Sequence, residues 1–426
     1  MSPRMLFSIV ILCCLLSWSQ TDGTVWAAEP STPSYSLPSY SLGDIVALAM
    51  EHSPTLAGAE GVVKQRRGQQ IAAGAYPNPS VSGTVGRGAI RDPSTGVRIT
   101  ERTVTVEQPL EWQGTRQARQ EAANAGVAGA RAALEETRLT LLADVKVAFY
   151  SLLFAQRDAE LAAQNVTTVE EVLRTVKARV AAGEATSFDT MKAGVEVQKA
   201  QKDVARAQNA FLVAKTRLNT LTAGALGKQF SIQGDFQSPK QGLGLDLDRL
   251  TAQAFEQHPS LRRLTKLAEQ AEHTVRFERE SRVPNISVQG QYHREAGDES
   301  MTAGLSVPLP LWYRRQGEIE TALGTKHRAE AERLRAQNEL EQAITQQVQE
   351  VRTAQDQLHV FETGLLKQAE QTLTVARTSF RQGAASLLDV LDAQRVYRQT
   401  LLEYAQVRAD LSIAFVRLER SLGAPL

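Results

Sequence analysis

Cysteine is nearly absent from this 426-residue chain, and both copies, Cys13 and Cys14, fall inside an apolar leader. Whatever follows the leader therefore carries neither a disulfide nor a thiolate metal site. Aromatic residues reach only 6%, and the net charge is +1 with acids and bases interspersed. The first property argues against one large enzyme-like core, and the second against nucleic-acid binding. After the leader, no apolar run of the 18 or so residues that a spanning helix needs is expected. Any passage of the mature chain through a membrane must then use β-strands. Ser/His/Asp sets, Gly-rich phosphate loops and metal-ligand spacings are missing too. The six histidines, His52, His258, His273, His293, His327 and His359, never stand three or four apart. They read as solvated residues, so no bound metal, no cofactor and no enzyme are expected.

The leader reads as an export signal over residues 1–27. Arg4 precedes the apolar stretch from Leu6 to Leu16, and Val25-Trp26-Ala27 offers a small-residue cleavage site. Leu12 stands where a lipidation signal at Cys13 would want Gly, Ala or Ser, which speaks against a lipid anchor. Residues 28–40, rich in Pro, Ser and Tyr, read as an extended tether.

What the chain does contain is a second copy of itself. Leu42, Ala47, Ala49, Glu51, Pro54 and Leu56 recur as Leu247, Ala252, Ala254, Glu256, Pro259 and Leu261, at a constant offset of 205. Gly183, Asp189 and Ala193 return as Gly383, Asp389 and Ala393, and Ala214, Arg217 and Leu218 as Ala414, Arg417 and Leu418. The duplication divides the chain into a first repeat at 41–226, a linker at 227–246 and a second repeat at 247–426. A doubled chain suits a ring, a channel or a long scaffold better than one catalytic cleft.

Each repeat reads helix, helix, two strands, long helix, turn, helix. Pro77 and Pro79 stop the second helix. The period then falls to two in Val81–Val85 and Thr103–Val106, and again in Ile286–Tyr292 and Met301–Val307, which predicts one β-hairpin per repeat. Proline-free stretches follow from Gln113 to Ala182 and from Tyr313 to Gln382, 70 residues each, or ~105 Å if continuously helical. Heptad-like seams support them: Val169, Val172, Val176 and Val180 in the first, and Ile344, Val348, Val351, Leu358 and Leu365 in the second. Gly183 and Gly383 sit where left-handed C-terminal caps belong. Thr186 and Ser386, with Asp189 and Asp389 three residues on, form capping boxes for the next helices.

Four strands are too few to close a barrel, and lipid tolerates no open sheet edge. Strands in a membrane would have to pair between copies, and three chains would supply twelve. Trp112 and Trp312, just past the second and fourth strands, stand where an interfacial aromatic girdle would meet outer-membrane lipid. The fold class is thus mainly α with a small β part: duplicated long-helix coiled-coil hairpins plus four β-strands per chain.

The repeat order, the Pro54 and Pro259 motifs and the two Gly-x-x-(Ser/Thr)-x-x-Asp turns resemble the TolC family of outer-membrane efflux ducts, over essentially the whole mature chain. The resemblance implies a homotrimer with a twelve-stranded barrel in a Gram-negative outer membrane above a periplasmic helical tunnel. Its tip would dock onto a periplasmic adaptor (membrane fusion) protein and an inner-membrane pump. Gln108–Arg116 and Pro308–Ile319 are similar to the CzcC and CusC branch, which serves heavy-metal pumps of the resistance-nodulation-division (RND) type. These two segments are junctions, not metal sites.

By the same resemblance Asp389 and Asp392 line the periplasmic constriction, and Gly183, Thr186, Asp189, Gly383 and Ser386 form the hairpin tips for adaptor docking. Capping already explains Asp389 and Asp189, whereas Asp392 has no such local use and is the better candidate for a lumen-facing acidic ring. Ala385 stands where the family often has a basic residue, a departure that counts against a salt-bridge latch. A non-channel coiled-coil scaffold stays open as an alternative, as does a multidrug or type I protein-secretion duct.

Overall fold

The computed structural model describes residues 38–91, 93–96, 98–237, 245–295 and 297–425. The signal segment, both cysteines and residues 28–37 of the tether lie outside the described residues, as do Asp92, Ala296 and 238–244 of the linker. The tether's end takes part in structure. Strand β1 (Ser39–Ser41) pairs in parallel with β4 (Ser231–Gln233) in a two-stranded sheet that the sequence pattern did not predict.

In the first repeat, α1 (Leu42–His52) opens on a capping box between Ser41 and Asp44. Pro54 starts α2 (Pro54–Gly74), which ends before Pro77 as expected. The hairpin β2 (Ser80–Arg91) and β3 (Arg98–Leu110) leads into α3 (Gln113–Ala181), 69 residues without a break. Helix α4 (Ser187–Leu221) then runs back along it. The second repeat follows the same plan through α5 (Leu247–Gln257), α6 (Pro259–Glu280), β5 (Ile286–Glu295) and β6 (Asp298–Ser306). Its long helix departs from the plan. Helix α7 (Gln316–Val360) starts only after Arg315, whose φ of 59° is left-handed and not helical, and a π-helical turn at Phe361–Leu365 separates it from α8 (Leu366–Arg381). Helix α9 (Leu387–Leu422) completes the second hairpin.

The π turn corrects the expected heptad seam. Ile344, Val348, Val351 and Leu358 are buried as the spacing predicts, but Leu365 is 38% exposed. A π turn absorbs one extra residue. Side chains beyond it sit where an uninterrupted helix would place their predecessors, and the buried face resumes at Ala369, Leu373 and Phe380. A second correction concerns apolar length. Helix α3 does contain a window long and apolar enough to cross a membrane by composition. Its Leu141, Val145, Phe149, Tyr150 and Leu152 are instead buried in a core with Ile45, Leu218, Phe230 and Val416. The second repeat builds a separate, more aliphatic core from Leu250, Ile344, Val348, Val351, Leu411, Phe415 and Leu418.

The junctions between strands and helices are held by side chains bonded to helix ends. Arg116 donates to the Gly74 carbonyl at 2.7 Å and Arg119 to that of Ala73 at 3.0 Å, satisfying acceptors that the end of α2 leaves free. Arg119 also pairs with the well-buried Glu111. At the other junction the Tyr313 hydroxyl accepts from the Gly317 amide at 3.1 Å and donates to Glu318 at 2.6 Å, standing in for an N-cap. The segments Gln108–Arg116 and Pro308–Ile319 are therefore splices between β and α parts.

Candidate functional site

The four strands form one antiparallel sheet in the order β2-β3-β5-β6, so the two hairpins join through β3 and β5, and β2 and β6 are open edges. Its register separates two chemistries. One face carries the rows Val81–Val106–Gly290–Ala303 and Gly83–Val104–Tyr292–Met301. The other carries Ser82–Thr105–Gln291–Thr302 and Thr84–Thr103–His293–Ser300. An apolar face backed by a polar one, alternating residue by residue, is the pattern of a barrel wall between lipid and water. Val81, Val85, Met301 and Leu305 are largely exposed, which in water would be costly for so large an apolar surface.

Toward the hairpin turns the polar face becomes acidic. Glu101 lies directly opposite Glu295, and Glu295 opposite Asp298, so one cross-strand row holds three carboxylates. His293 stands in the next row on that face, hydrogen-bonded to Thr103 at 2.9 Å. These residues do not form a chelating set: among the described residues no group of His, Cys, Asp and Glu is placed to hold a metal ion. The sequence pattern missed this row, because only the β3–β5 register brings Glu101 to Glu295.

At the other end of the molecule the two hairpin tips are built alike. Gly183 and Gly383 have φ of 78° and 76°, the left-handed region that ends a helix. The Glu184 amide donates to the Arg179 carbonyl at 2.8 Å, and Ala384 to Ser379 at 2.8 Å. Thr186 Oγ1 then donates to Asp189 at 2.8 Å and Ser386 Oγ to Asp389 at 2.7 Å, while each aspartate amide donates back at 3.3 Å. The predicted capping boxes are both present. They hold both carboxyls below the usual aspartate range, chiefly through the Thr186 amide for Asp189 and the Ser386 hydroxyl for Asp389.

Asp392 lies one turn beyond Asp389 in a groove between α8 and α9, lined also by Gln371, Val375, Leu388 and Val396. Its local partner is Arg395, three residues on, which pairs with it while both stay exposed. An exposed pair of this kind leaves the carboxylate solvated and is worth little energetically. In the first repeat the matching positions hold Lys192 and Val195, so the second hairpin alone carries this acid.

The tips also touch each other. Arg179 of the first hairpin donates to the Phe380 carbonyl of the second at 3.1 Å and lies 4.8 Å over its ring. Val176, Ala193, Phe380, Leu387 and Val390 bury a small shared core there. Further along, Arg398 reaches Asp203 at 2.8 Å between α9 and α4. Ala385 provides no basic group, and Arg179, on the other hairpin, is the cation that bridges the tips. Phe188, Met191 and Val195, spaced along one face of α4, remain exposed.

Trp112 and Trp312 differ. The Trp112 indole donates to Glu280 at 3.0 Å and the residue is 47% exposed, whereas Trp312 is 91% exposed. Gly114 leaves room beside the first, since a Cβ there would crowd Glu280 Oε2 and the Trp112 indole and displace that hydrogen bond.

Two hairpins with an amphipathic sheet at one end and joined, capped tips at the other define an outer-membrane channel rather than an enzyme. The chain belongs to the outer membrane efflux protein family, whose pattern matches twice, at residues 45–224 and 250–424. It is 27% identical over 331 residues to the cobalt-zinc-cadmium resistance protein CzcC of Cupriavidus metallidurans, covering 76% of this chain and 78% of that one. It is 23% identical over 409 residues to the pyoverdine export outer membrane protein OpmQ of Pseudomonas aeruginosa, covering 90% and 83%. The solved structure of CusC superposes with a TM-score of 0.78 at 17% identity, over 91% of this chain and 93% of that one.

Proposed function

We propose that three copies of this chain close one twelve-stranded barrel and that the assembly is the outer-membrane duct of a tripartite system exporting heavy-metal cations. A periplasmic adaptor would dock on the hairpin tips and an RND pump in the inner membrane would supply the cargo. The row Glu101–Glu295–Asp298 on the polar sheet face is the observation that carries this reading. Like charges placed directly opposite each other are unfavourable unless cations relieve them. In a trimer nine carboxylates would surround the outer mouth, attracting cations without chelating them, which suits passage rather than storage. Asp392 repeats that chemistry at the tip, and the similarity to a cobalt-zinc-cadmium resistance protein supports the same cargo.

The open edges of β2 and β6 support closure between copies, because unpaired strand edges are not tolerated in hydrocarbon. Phe188, Met191 and Val195 supply apolar surface at the tip for a neighbouring copy or for the adaptor.

The test is a deletion strain grown on zinc, cobalt, cadmium, copper or silver. Lower metal tolerance with drug tolerance unchanged is expected. A rise in drug or siderophore sensitivity with flat metal tolerance would move the chain to organic export, the role that the name of OpmQ carries, and leave the duct intact. In planar bilayers Asp392→Ala should lower cation selectivity more than Asp189→Ala, and equal, negligible effects would remove Asp392 from the lumen.

A further inference from the structure

The row next to the acidic one lies on the apolar face of the sheet and is basic. Arg102 on β3 is registered directly opposite Arg294 on β5, between Val85 on β2 and Glu299 on β6. Arg87, two residues beyond Val85, shares that face. Arg294 meets Glu299 at 3.4 Å, with both side chains about half exposed. Among the described residues neither Arg102 nor Arg87 has an ion-pair partner. Two guanidinium groups side by side on adjacent strands repel each other, and a like-charged pair at this position is destabilising on its own.

The position of the row explains what would relieve the repulsion. Eight residues along β3 separate Leu110, at the helix-bearing end, from Arg102, about 27 Å at the rise of an antiparallel strand. A strand tilt of about 40° reduces this to ~20 Å across the membrane, close to the height of an apolar barrel band of ~25 Å. The arginines therefore stand where the apolar belt ends, on the lipid side and at the turn end of the hairpins. That end points away from the helices, toward the outer leaflet.

We infer that Arg102 and Arg294, with Arg87 beside them, form a site for phosphate groups of an anionic glycolipid of the outer leaflet. The inference rests on the barrel reading above. Guanidinium groups match phosphate oxygens in a planar, two-pronged way and remain charged at any working pH. A phosphate between Arg102 and Arg294 would turn their repulsion into a bridge between the two hairpins. It would lie across β3 and β5, where the two repeats meet.

The test uses the full-length protein purified as its oligomer, with heat dissociation of the oligomer as the readout. The probes are bisphosphorylated lipid A, its phosphate-free counterpart and inorganic phosphate. The phosphorylated lipid is expected to raise the dissociation temperature and the phosphate-free lipid to leave it unchanged. Replacing both Arg102 and Arg294 by Gln should raise the lipid concentration needed by about tenfold or more, from two lost cation–phosphate contacts. Arg276→Gln, in α6 away from the sheet, should titrate like the natural chain. Equal protection by the phosphate-free lipid, or an unshifted titration in the double variant, overturns the site. Full protection by inorganic phosphate alone overturns the lipid as its occupant. Should the double variant not assemble, Arg102→Lys, which keeps charge but loses the two-pronged contact, should show an intermediate shift, and no shift overturns the site. Failure of the natural chain to form an oligomer in membranes would instead defeat the barrel reading, before any lipid is added.

Discussion

At their tips the two repeats are near copies, and between tip and strands they part. The hydroxyl hydrogen bonds of Thr186 and Ser386 differ in length by a tenth of an ångström, their amide bonds are 3.1 and 2.8 Å, and the cap glycines differ by two degrees in φ. Yet α3 runs unbroken past Phe149 and Tyr150, which pack edge-to-face at 5.6 Å, whereas the second repeat breaks at Phe361–Leu365. There Phe361 is buried and tilts against Tyr404 at 6.0 Å. The difference shows which features a duplication preserves. Caps are closed circuits of three or four residues and survive unchanged. Long seams depend on what lies opposite, and those surroundings differ for the two halves.

The comparison is most exposed to deletion. Removing Gly364 should close the π turn into ordinary helix and leave the following buried residues in place. Removing the exposed Gln164 from α3 should rotate everything beyond it by about 100°, taking Val169 and Val176 out of their seam. Expected outcomes are an assembled channel for the first and none for the second, checked by oligomer recovery from membranes. Equal tolerance would show that the π turn is not an absorbed insertion.

The ends of the returning helices sharpen the contrast. Gly224 and Gly423 both have left-handed φ, but a Cβ at Gly224 meets nothing within 4 Å. At Gly423 it would lie 3.2 Å from His258 Cα and from Pro259 Cδ. Gly224→Ala should cost about 1–2 kcal/mol, and Gly423→Ala about 1–3 kcal/mol beyond that from overpacking. Denaturant midpoints of the two variants would measure the gap. Where the repeats agree, the effects should too: Thr186→Ala and Ser386→Ala should each cost about 1 kcal/mol, and a twofold difference would mean that the tips are not equivalent.

The smallest effect expected is one of pH. Ser53 in the first repeat corresponds to His258 in the second, which is not solvated as expected but a largely buried N-cap whose Nδ1 accepts from the Ser260 amide at 3.2 Å. Burial is the main cause holding its pKa below the ordinary histidine value. The unfolded chain therefore takes up this proton first. The neutral imidazole's contribution is fully present above the unfolded pKa of about 6.5 and is lost as pH falls toward the folded one. His258→Ser should flatten stability over that interval, and an unchanged pH profile would show that the proton is not taken up here.

Much of this architecture was legible because its signals are local. Prolines at 77 and 79, alternation in Val81–Val85, and the Thr186–Asp189 and Ser386–Asp389 spacings each act within a few residues. The π turn left little trace, since Phe361-Glu362-Thr363-Gly364-Leu365 contains no helix breaker stronger than one glycine. The β1–β4 pair was hidden because three-residue strands nearly two hundred residues apart show no periodicity. The Arg395 partner of Asp392 was within reach at a spacing of three, and reading the acid without its neighbour missed it. The opposed charges of Glu101 and Glu295, and of Arg102 and Arg294, required the sheet register itself.

The two unpaired edges, β2 and β6, have a consequence for how the cell supplies this protein. If the barrel is shared between copies as proposed, a lone chain cannot satisfy its own backbone in hydrocarbon, and insertion and association would become one event governed by mass action. Expression level would then act as a steep control of assembly. Halving synthesis should reduce finished channels by more than half.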